Sequence, residues 1–347
     1  MTDSMNFLDA VEGLPEQLTA AHEAAGKVHA DAFPKPENVR NIVVMGMGGS
    51  GISGDVINAA FNDELPVPLT VLKQIRTPAF VGPSTLAFAV SYSGDTEETV
   101  SMAQSVVEKG AQLVAVSKGG KIAEIARDAG ALHLSCPDGF LPRAALGTLV
   151  APLAVTLFRM GFAPGAHASL QRAQAQLAAR RDKCKPSIEG AANPARELAR
   201  QIGRTIPLIY GGGALGGVAA YRWKCDVNEN AKASAFSHAY PELDHNEICA
   251  WGQGGDVTRQ LITLIELRHG FEHARLSPRF EITREIIDEC VHQVLEVQAE
   301  GEGRLAQLLD LMYVGDWVSC YLALQNDVDP GPIDAIFELK SRMAKLS

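Results

Sequence analysis

The 347-residue chain has no run of about 20 consecutive apolar residues, so no segment of it suits a membrane-spanning helix. It also lacks any lysine or arginine run, and its formal net charge is −10. A broad basic face for nucleic acid or for an acidic membrane is thereby excluded, because binding to either needs cations to displace counterions. A small anion remains admissible, since a few donors converging locally are enough to hold it. The six cysteines, Cys136, Cys184, Cys225, Cys249, Cys290 and Cys320, lie far apart without C-x-x-C spacing, which indicates neither a zinc knuckle nor a disulfide framework. No H-E-x-x-H or H-x-H spacing occurs around His238, Glu242, His245 and Glu247, so no metal site is read there. The opening text, MTDSMNFLDAVEGLPEQ, places acids where a secretory leader carries a basic segment followed by an apolar core, and the expected setting is a reducing cytoplasm.

Two turns stand out in what is present. GMGGSGISG at 46–54 follows the apolar run Ile42-Val43-Val44, and SYSGDTEET at 91–99 follows the apolar run 86–90. Each puts glycines and small hydroxyl residues where a strand gives way to a helix, so that backbone N–H groups and hydroxyls face one point beside a positive helix end. Gly48, Gly49 and Ser50 in the first turn and Ser91, Ser93 and Thr96 in the second form a candidate cradle for a phosphate monoester.

Gly46, Gly48 and Gly51 also satisfy the G-x-G-x-x-G dinucleotide fingerprint. That reading wants an acidic residue about 20 positions on to hold a ribose. The next strand candidate, 69–72, ends instead in Lys73-Gln74-Ile75-Arg76, which leaves only an NADP-type variant. A plain capping box from Asp95 and Glu98 explains the second helix start, but not three hydroxyls in one turn.

Strand-like runs near 41–46, 69–73, 86–92, 112–117 and 131–135 alternate with helical text after an N-terminal helix at 8–28, which predicts a doubly wound parallel sheet. Residues 149–201 carry alanine- and arginine-rich helical periodicity and read as a connector. The strand at 206–210, the glycine turn at 211–217 and the helix through Trp223 then repeat the first unit without its hydroxyls. Further strands at 261–267 and 294–297 and helices at 304–324 and 333–346 complete a second, smaller sheet. The expected division is 1–155, a helical connector at 156–200, and 201–347.

The second half holds a dense polar segment: Asn228-Glu229-Asn230-Ala231-Lys232, then Pro241-Glu242-Leu243-Asp244-His245-Asn246-Glu247. Glu229 and His245 can serve one small ligand as two proton-transfer groups, the carboxylate for a C–H proton and the imidazole for an oxygen. Structural roles, a helix pairing for Glu229 and a turn position for His245, remain open from the residues alone. The other histidines, such as His22, His29 and His167, are expected on solvated helices or loops.

GMGGSGISG, SYSGDTEET, PRAALG, NENAK and PELDHNE, in this order, together with RFEIT at 279–283, AEGEGRLAQLL at 299–309, GDWVSCYLAL at 315–324 and the DPGP ending, resemble the bifunctional phosphoglucose/phosphomannose isomerases of the sugar isomerase (SIS) superfamily. The resemblance spans nearly the whole chain and implies two SIS-type α/β domains with a helical connector and a C-terminal helix. It implies that Gly48, Gly49, Ser50, Ser91, Ser93 and Thr96 bind the phosphate of a hexose 6-phosphate and that Glu229 is the base. His245 and Lys340 would open the sugar ring, and Arg143 would sit at the C1–C2 edge. It also implies a homodimer whose site borrows its histidine from the neighbouring subunit, with no cofactor and no metal. Two departures bear on specificity: Asp244 stands where the motif reads Asn, and Gly331 where a threonine is frequent. The expected consequence at 331 is an enlarged pocket at C2 or the loss of a water-holding group, and at 244 an extra carboxylate beside His245. A non-catalytic sugar-phosphate-binding protein, or an isomerase restricted to one hexose phosphate, are the alternatives.

Overall fold

The computed structural model describes residues 2–345. Two short helices, α1 (Phe7–Glu12) and α2 (Leu14–Gly26), replace the single N-terminal helix read at 8–28. The break falls at Gly13, with Pro15 in the first turn of α2, where its missing N–H breaks no intrahelical bond.

The first sheet then follows, built from β1 (Asn41–Met45), α3 (Gly48–Phe61), β2 (Leu69–Leu72), β3 (Thr85–Val90), α4 (Glu97–Glu108), β4 (Gln112–Ser117), α5 (Gly120–Asp128) and β5 (Leu132–Ser135). All five strands are parallel in the order β2-β1-β3-β4-β5. β3, Thr-Leu-Ala-Phe-Ala-Val, is buried at every position, as expected for a parallel strand covered by helices on both faces.

Three helices, α6 (Leu146–Arg159), α7 (Ala166–Cys184) and α8 (Pro194–Ile202), lead to the second sheet without an intervening strand. β6 (Ile206–Gly212), α9 (Gly213–Asn230), β7 (Phe236–Tyr240), α10 (Gly255–Leu261), β8 (Ile262–Arg268), α11 (Ser277–Ile287) and β9 (Gln293–Gln298) give four parallel strands in the order β7-β6-β8-β9. β7 is absent from the expected strands. It is an edge strand of Phe-Ser-His-Ala-Tyr with only Tyr240 buried, so it lacks the apolar run that reveals an interior strand.

α12 (Arg304–Gln325) is buried at every position from 308 to 323, the pattern of a helix enclosed on all sides. It packs on α7, α8 and α9 and so joins the connector to the second half. Trp223 of α9 donates its indole N–H to the Leu311 carbonyl at 2.7 Å, and Gly315 leaves the space its ring occupies. α13 (Asp334–Met343) ends the described chain with no buried residue. Among the described residues no helix is long and apolar enough to cross a membrane.

Two histidines depart from the expectation of solvation. His22 is buried and shares a 2.9 Å hydrogen bond with His167 of α7, and buried His269 bonds the Gly212 carbonyl at 2.8 Å.

Candidate active site

The glycine turn between β1 and α3 owes its shape to close backbone approach. A Cβ at Gly51 would lie 2.6 Å from the Gly46 carbonyl oxygen, and Gly48 has φ +52°, a conformation that side chains disfavour. Ser50 is buried and its Oγ accepts from the Tyr92 N–H at 3.2 Å, which ties the first turn to the second across 42 residues. In that second turn Ser91 Oγ and Thr96 Oγ1 are 2.9 Å apart, and the Gly94 N–H donates to Ser91 Oγ. No capping box forms. Thr96 occupies the N-cap position of α4, while the Asp95 carboxylate accepts from the Lys121 N–H of α5. The two turns therefore sit side by side at the carboxyl ends of adjacent strands β1 and β3, where α/β folds place their ligands.

Arg143 reaches the same place from the short helical turn Pro142–Ala144. A Cβ on Gly49 would lie 3.3 Å from its Cα and 2.9 Å from the Pro142 carbonyl oxygen, so the phosphate turn packs directly on this segment. The Arg143 side chain is only 3% exposed. Its Nε donates to Asn230 Oδ1 at 2.7 Å, and its Nη2 donates to the Pro330 and Gly331 carbonyls at 2.6 and 2.7 Å. Nη1 has no partner among the described residues. The Glu229 carboxylate, at the C-terminal end of α9, lies 3.9 Å from Arg143 Nε and keeps 28% of its side chain exposed. Burial pulls the arginine's pKa down and the Glu229 charge works against that, leaving a cation beside a carboxylate that solvent can reach.

Asn230 and Lys232 were not singled out from the sequence, although NENAK contains both. Asn230 bridges Arg143 to Ser319 Oγ, at 2.9 Å from Nδ2. Lys232 Nζ donates to the Glu229 carbonyl at 2.9 Å and the Asp329 carbonyl at 2.8 Å, which clamps the end of α9 to the D-P-G-P turn. Lys73, read first against a ribose site, lies with its Cε 3.1 Å from where a Gly51 Cβ would be, pairs with Asp55 and stacks over the Tyr221 ring of α9.

The structure does not bring His245 or Lys340 into this cluster within one chain. His245 sits in an exposed turn after β7 and Lys340 on exposed α13, and among the described residues neither side chain has a hydrogen-bonding or ionic partner. Asp244 is turned to α11 instead, with Arg279 at 2.6 Å and Thr283 at 3.1 Å. His238 and Glu247 bond each other at 2.8 Å, and Glu247 also accepts from Tyr210 at 2.6 Å. Among the described residues no group of three histidine, cysteine or acidic side chains could hold a metal ion.

Two family models match the chain: the SIS domain over residues 37–156 and the bacterial phospho-glucose isomerase C-terminal SIS domain over 191–343. The chain is 33% identical over 343 residues to a bifunctional phosphoglucose/phosphomannose isomerase of Caldicellulosiruptor bescii, covering 98% of this chain and 99% of that protein. To the protein of the same description from Thermoplasma acidophilum it is 34% identical over 318 residues, covering 92% and 94%. Among solved structures, the C-terminal domain of glucosamine-fructose-6-phosphate aminotransferase from Francisella tularensis superposes with a TM-score of 0.70 at 15% identity, covering 94% of this chain and 98% of that one, a likeness of fold alone.

Proposed function

The chain belongs to the bifunctional phosphoglucose/phosphomannose isomerase family, and from that premise we propose that it interconverts glucose 6-phosphate and mannose 6-phosphate with fructose 6-phosphate through a cis-enediol. The observation that carries this reading is the placing of Glu229 and Arg143 within 3.9 Å of each other beside the two hydroxyl-rich turns.

In this reading Gly48, Gly49, Ser50, Ser91, Ser93 and Thr96 take the phosphate. Glu229 removes the C2 proton of the open-chain aldose while the C1 carbonyl oxygen gains a proton. The same carboxyl returns its proton to C1 as the C2 hydroxyl gives up its own and becomes the carbonyl. The Arg143 guanidinium, a cation beside Glu229, offsets the charge on oxygens that become negative on the way. The conversion needs no net oxidant or reductant, and the reading includes no cofactor and no metal. Glucose and mannose 6-phosphate differ only at C2 and give the same enediol, so specificity turns on the room near C2, where we place Gly331.

The reading includes a homodimer in the cytoplasm, with SIS units at 1–155 and 201–347 joined through 156–200. His245 and Lys340 open the ring, the histidine supplied across the subunit interface. Exposed, unpartnered His245 and the apolar Ile336, Phe337, Leu339 and Met343 left uncovered on α13 support a second subunit.

Incubation with fructose 6-phosphate should yield both glucose 6-phosphate and mannose 6-phosphate, at a rate that EDTA leaves unchanged. Glu229→Gln should lower turnover by roughly 10²–10⁴-fold with substrate binding retained. Deuterium exchange from solvent into C2 should disappear with it. Exchange persisting at the wild-type rate would assign the base elsewhere.

A further inference from the structure

Behind the candidate site lies a buried ionic cluster that this isomerase reading does not use. Arg222, one turn before Asp226 on α9, has its Nε 2.7 Å from Asp226 Oδ2, and its Nε and Nη2 donate to Asp316 Oδ1 of α12 at 3.2 and 2.9 Å. All three side chains are buried. Buried ion pairs are costly to desolvate, so a cluster that also satisfies its donors elsewhere calls for a reason. The remaining bond supplies one: Arg222 Nη2 donates to the main-chain carbonyl of Arg143 at 2.7 Å. The Phe7 ring covers the Arg143 guanidinium from the other side, 4.3 Å from its Cζ. Phe7, Arg143, Arg222, Asn230 and Asp316 surround a residual cavity of about 10 Å3, at the lower limit for a single water.

We propose that Arg222 is a positioning residue of the isomerisation: anchored by Asp226 and Asp316, it fixes the backbone at Arg143 and so sets the distance between the Arg143 guanidinium and the Glu229 carboxylate. Three links of the site meet on one helix. Arg222, Asp226 and Glu229 follow at intervals of four and three on α9, so they share a face, and a movement of Arg222 against Arg143 is a movement of Glu229 against Arg143. The phosphate turns belong to the other sheet and meet the Arg143 backbone at Gly49. Disturbing Arg222 therefore acts directly on the pair at the reacting carbons, and on the phosphate grip at most through the Gly49 packing.

The inference rests on the isomerase reading, and the experiment separates the two. Wild-type turnover of fructose 6-phosphate tests the reading, and its absence would remove both. With turnover present, Arg222→Lys keeps a cation between Asp226 and Asp316 but lacks the fork that reaches the Arg143 carbonyl. It should lower kcat on the order of 10- to 100-fold, the scale of a small misplacement of reacting groups, with KM for fructose 6-phosphate within about twofold. Should that protein not fold, Asp316→Ala leaves the Arg222–Asp226 pair charge-balanced while releasing one anchor, and should show the same split in smaller measure. Asp316→Asn, whose amide oxygen can still accept from Arg222, should recover much of the rate. A folded variant with wild-type kcat, or one that raises KM with kcat retained, would overturn the proposal.

Discussion

Gly331 shows how a single position can change meaning between sequence and structure. Read as a missing hydroxyl, it promises room at C2; read as a turn glycine, it promises a left-handed backbone. Its φ lies outside the left-handed region, so the second idea loses its basis. What the glycine does avoid is Met5, whose Cβ and Cγ would lie 2.8 and 2.9 Å from an added Cβ. Its carbonyl meanwhile accepts from Arg143 Nη2. Gly331→Thr should therefore cost about 1–3 kcal/mol of stability, the usual scale of overpacking, and lower kcat for both epimers as the carbonyl shifts. Adding Met5→Gly, which removes the Cβ as well as the Cγ, should restore most of the melting temperature. In that relieved double variant the ratio of kcat/KM for mannose 6-phosphate to that for glucose 6-phosphate reads the pocket itself, and an unchanged ratio would withdraw position 331 from specificity. Asp244 changes meaning likewise: its carboxylate is engaged by Arg279 and Thr283 on α11, a tie that proximity in sequence to His245 does not reveal.

At the scale of elements, legibility followed apolar content and local chemistry. The strands of both sheets with buried runs, and the turns after β1 and β3, are announced by residues adjacent in sequence. β7 is not, because half-exposed edge text such as Ser237 and His238 carries no run to detect. The site residues divide in the same way. Glu229 and the turn hydroxyls stand out as candidates from their local company, whereas Arg143 enters the sequence reading only through the resemblance, and its surroundings appear when Asn230 and Pro330, 87 and 187 residues away, converge on it. The burial of His22 escapes the sequence for the same reason, since its partner His167 is 145 residues distant. That bond links α2 to α7, and Gln174 of α7 donates to the other ring nitrogen of His22 at 3.0 Å. Burial lowers the pKa of His22 below the ordinary 6.5, with His167 adding to the effect and Glu23 opposing it. The unfolded chain then binds more protons than the folded one as pH falls through 6.5, so this histidine's contribution to stability declines from there down to its folded pKa. Thermal unfolding from pH 7.5 to 5 should show a loss of melting temperature in the wild type that is smaller in His22→Gln. Parallel pH profiles for the two proteins would remove His22 as a source of acid sensitivity.

Across the whole molecule, the two halves repeat one plan but diverge where the anion would sit. Gly48 and Gly213 open α3 and α9 with matching φ values of +52° and +58°. Beside Gly212, however, the second half already holds a carboxylate: Glu272 lies 3.2 Å from where a Cβ would project, held by Arg268 and by the His269 N–H. In the proposed reading this carboxylate stands where the first half would take a ligand's charge, and the second half contributes Glu229 from the far end of α9 instead. On the same reading the ring-opening side is what one chain leaves incomplete, and His245 and α13 stand exposed. If His245 serves the neighbouring subunit, Glu229→Gln and His245→Ala are lesions that one dimer can separate. Each variant alone should be nearly inactive. Unfolding and refolding them together gives mixed dimers in which one site carries both lesions and the other carries neither. With random pairing, roughly half the dimers are mixed and half their sites intact, so recovered activity should approach about a quarter of the wild-type value. A histidine acting within its own chain would leave every mixed site with one lesion, and activity no higher than that of the separate variants would rule out the shared site.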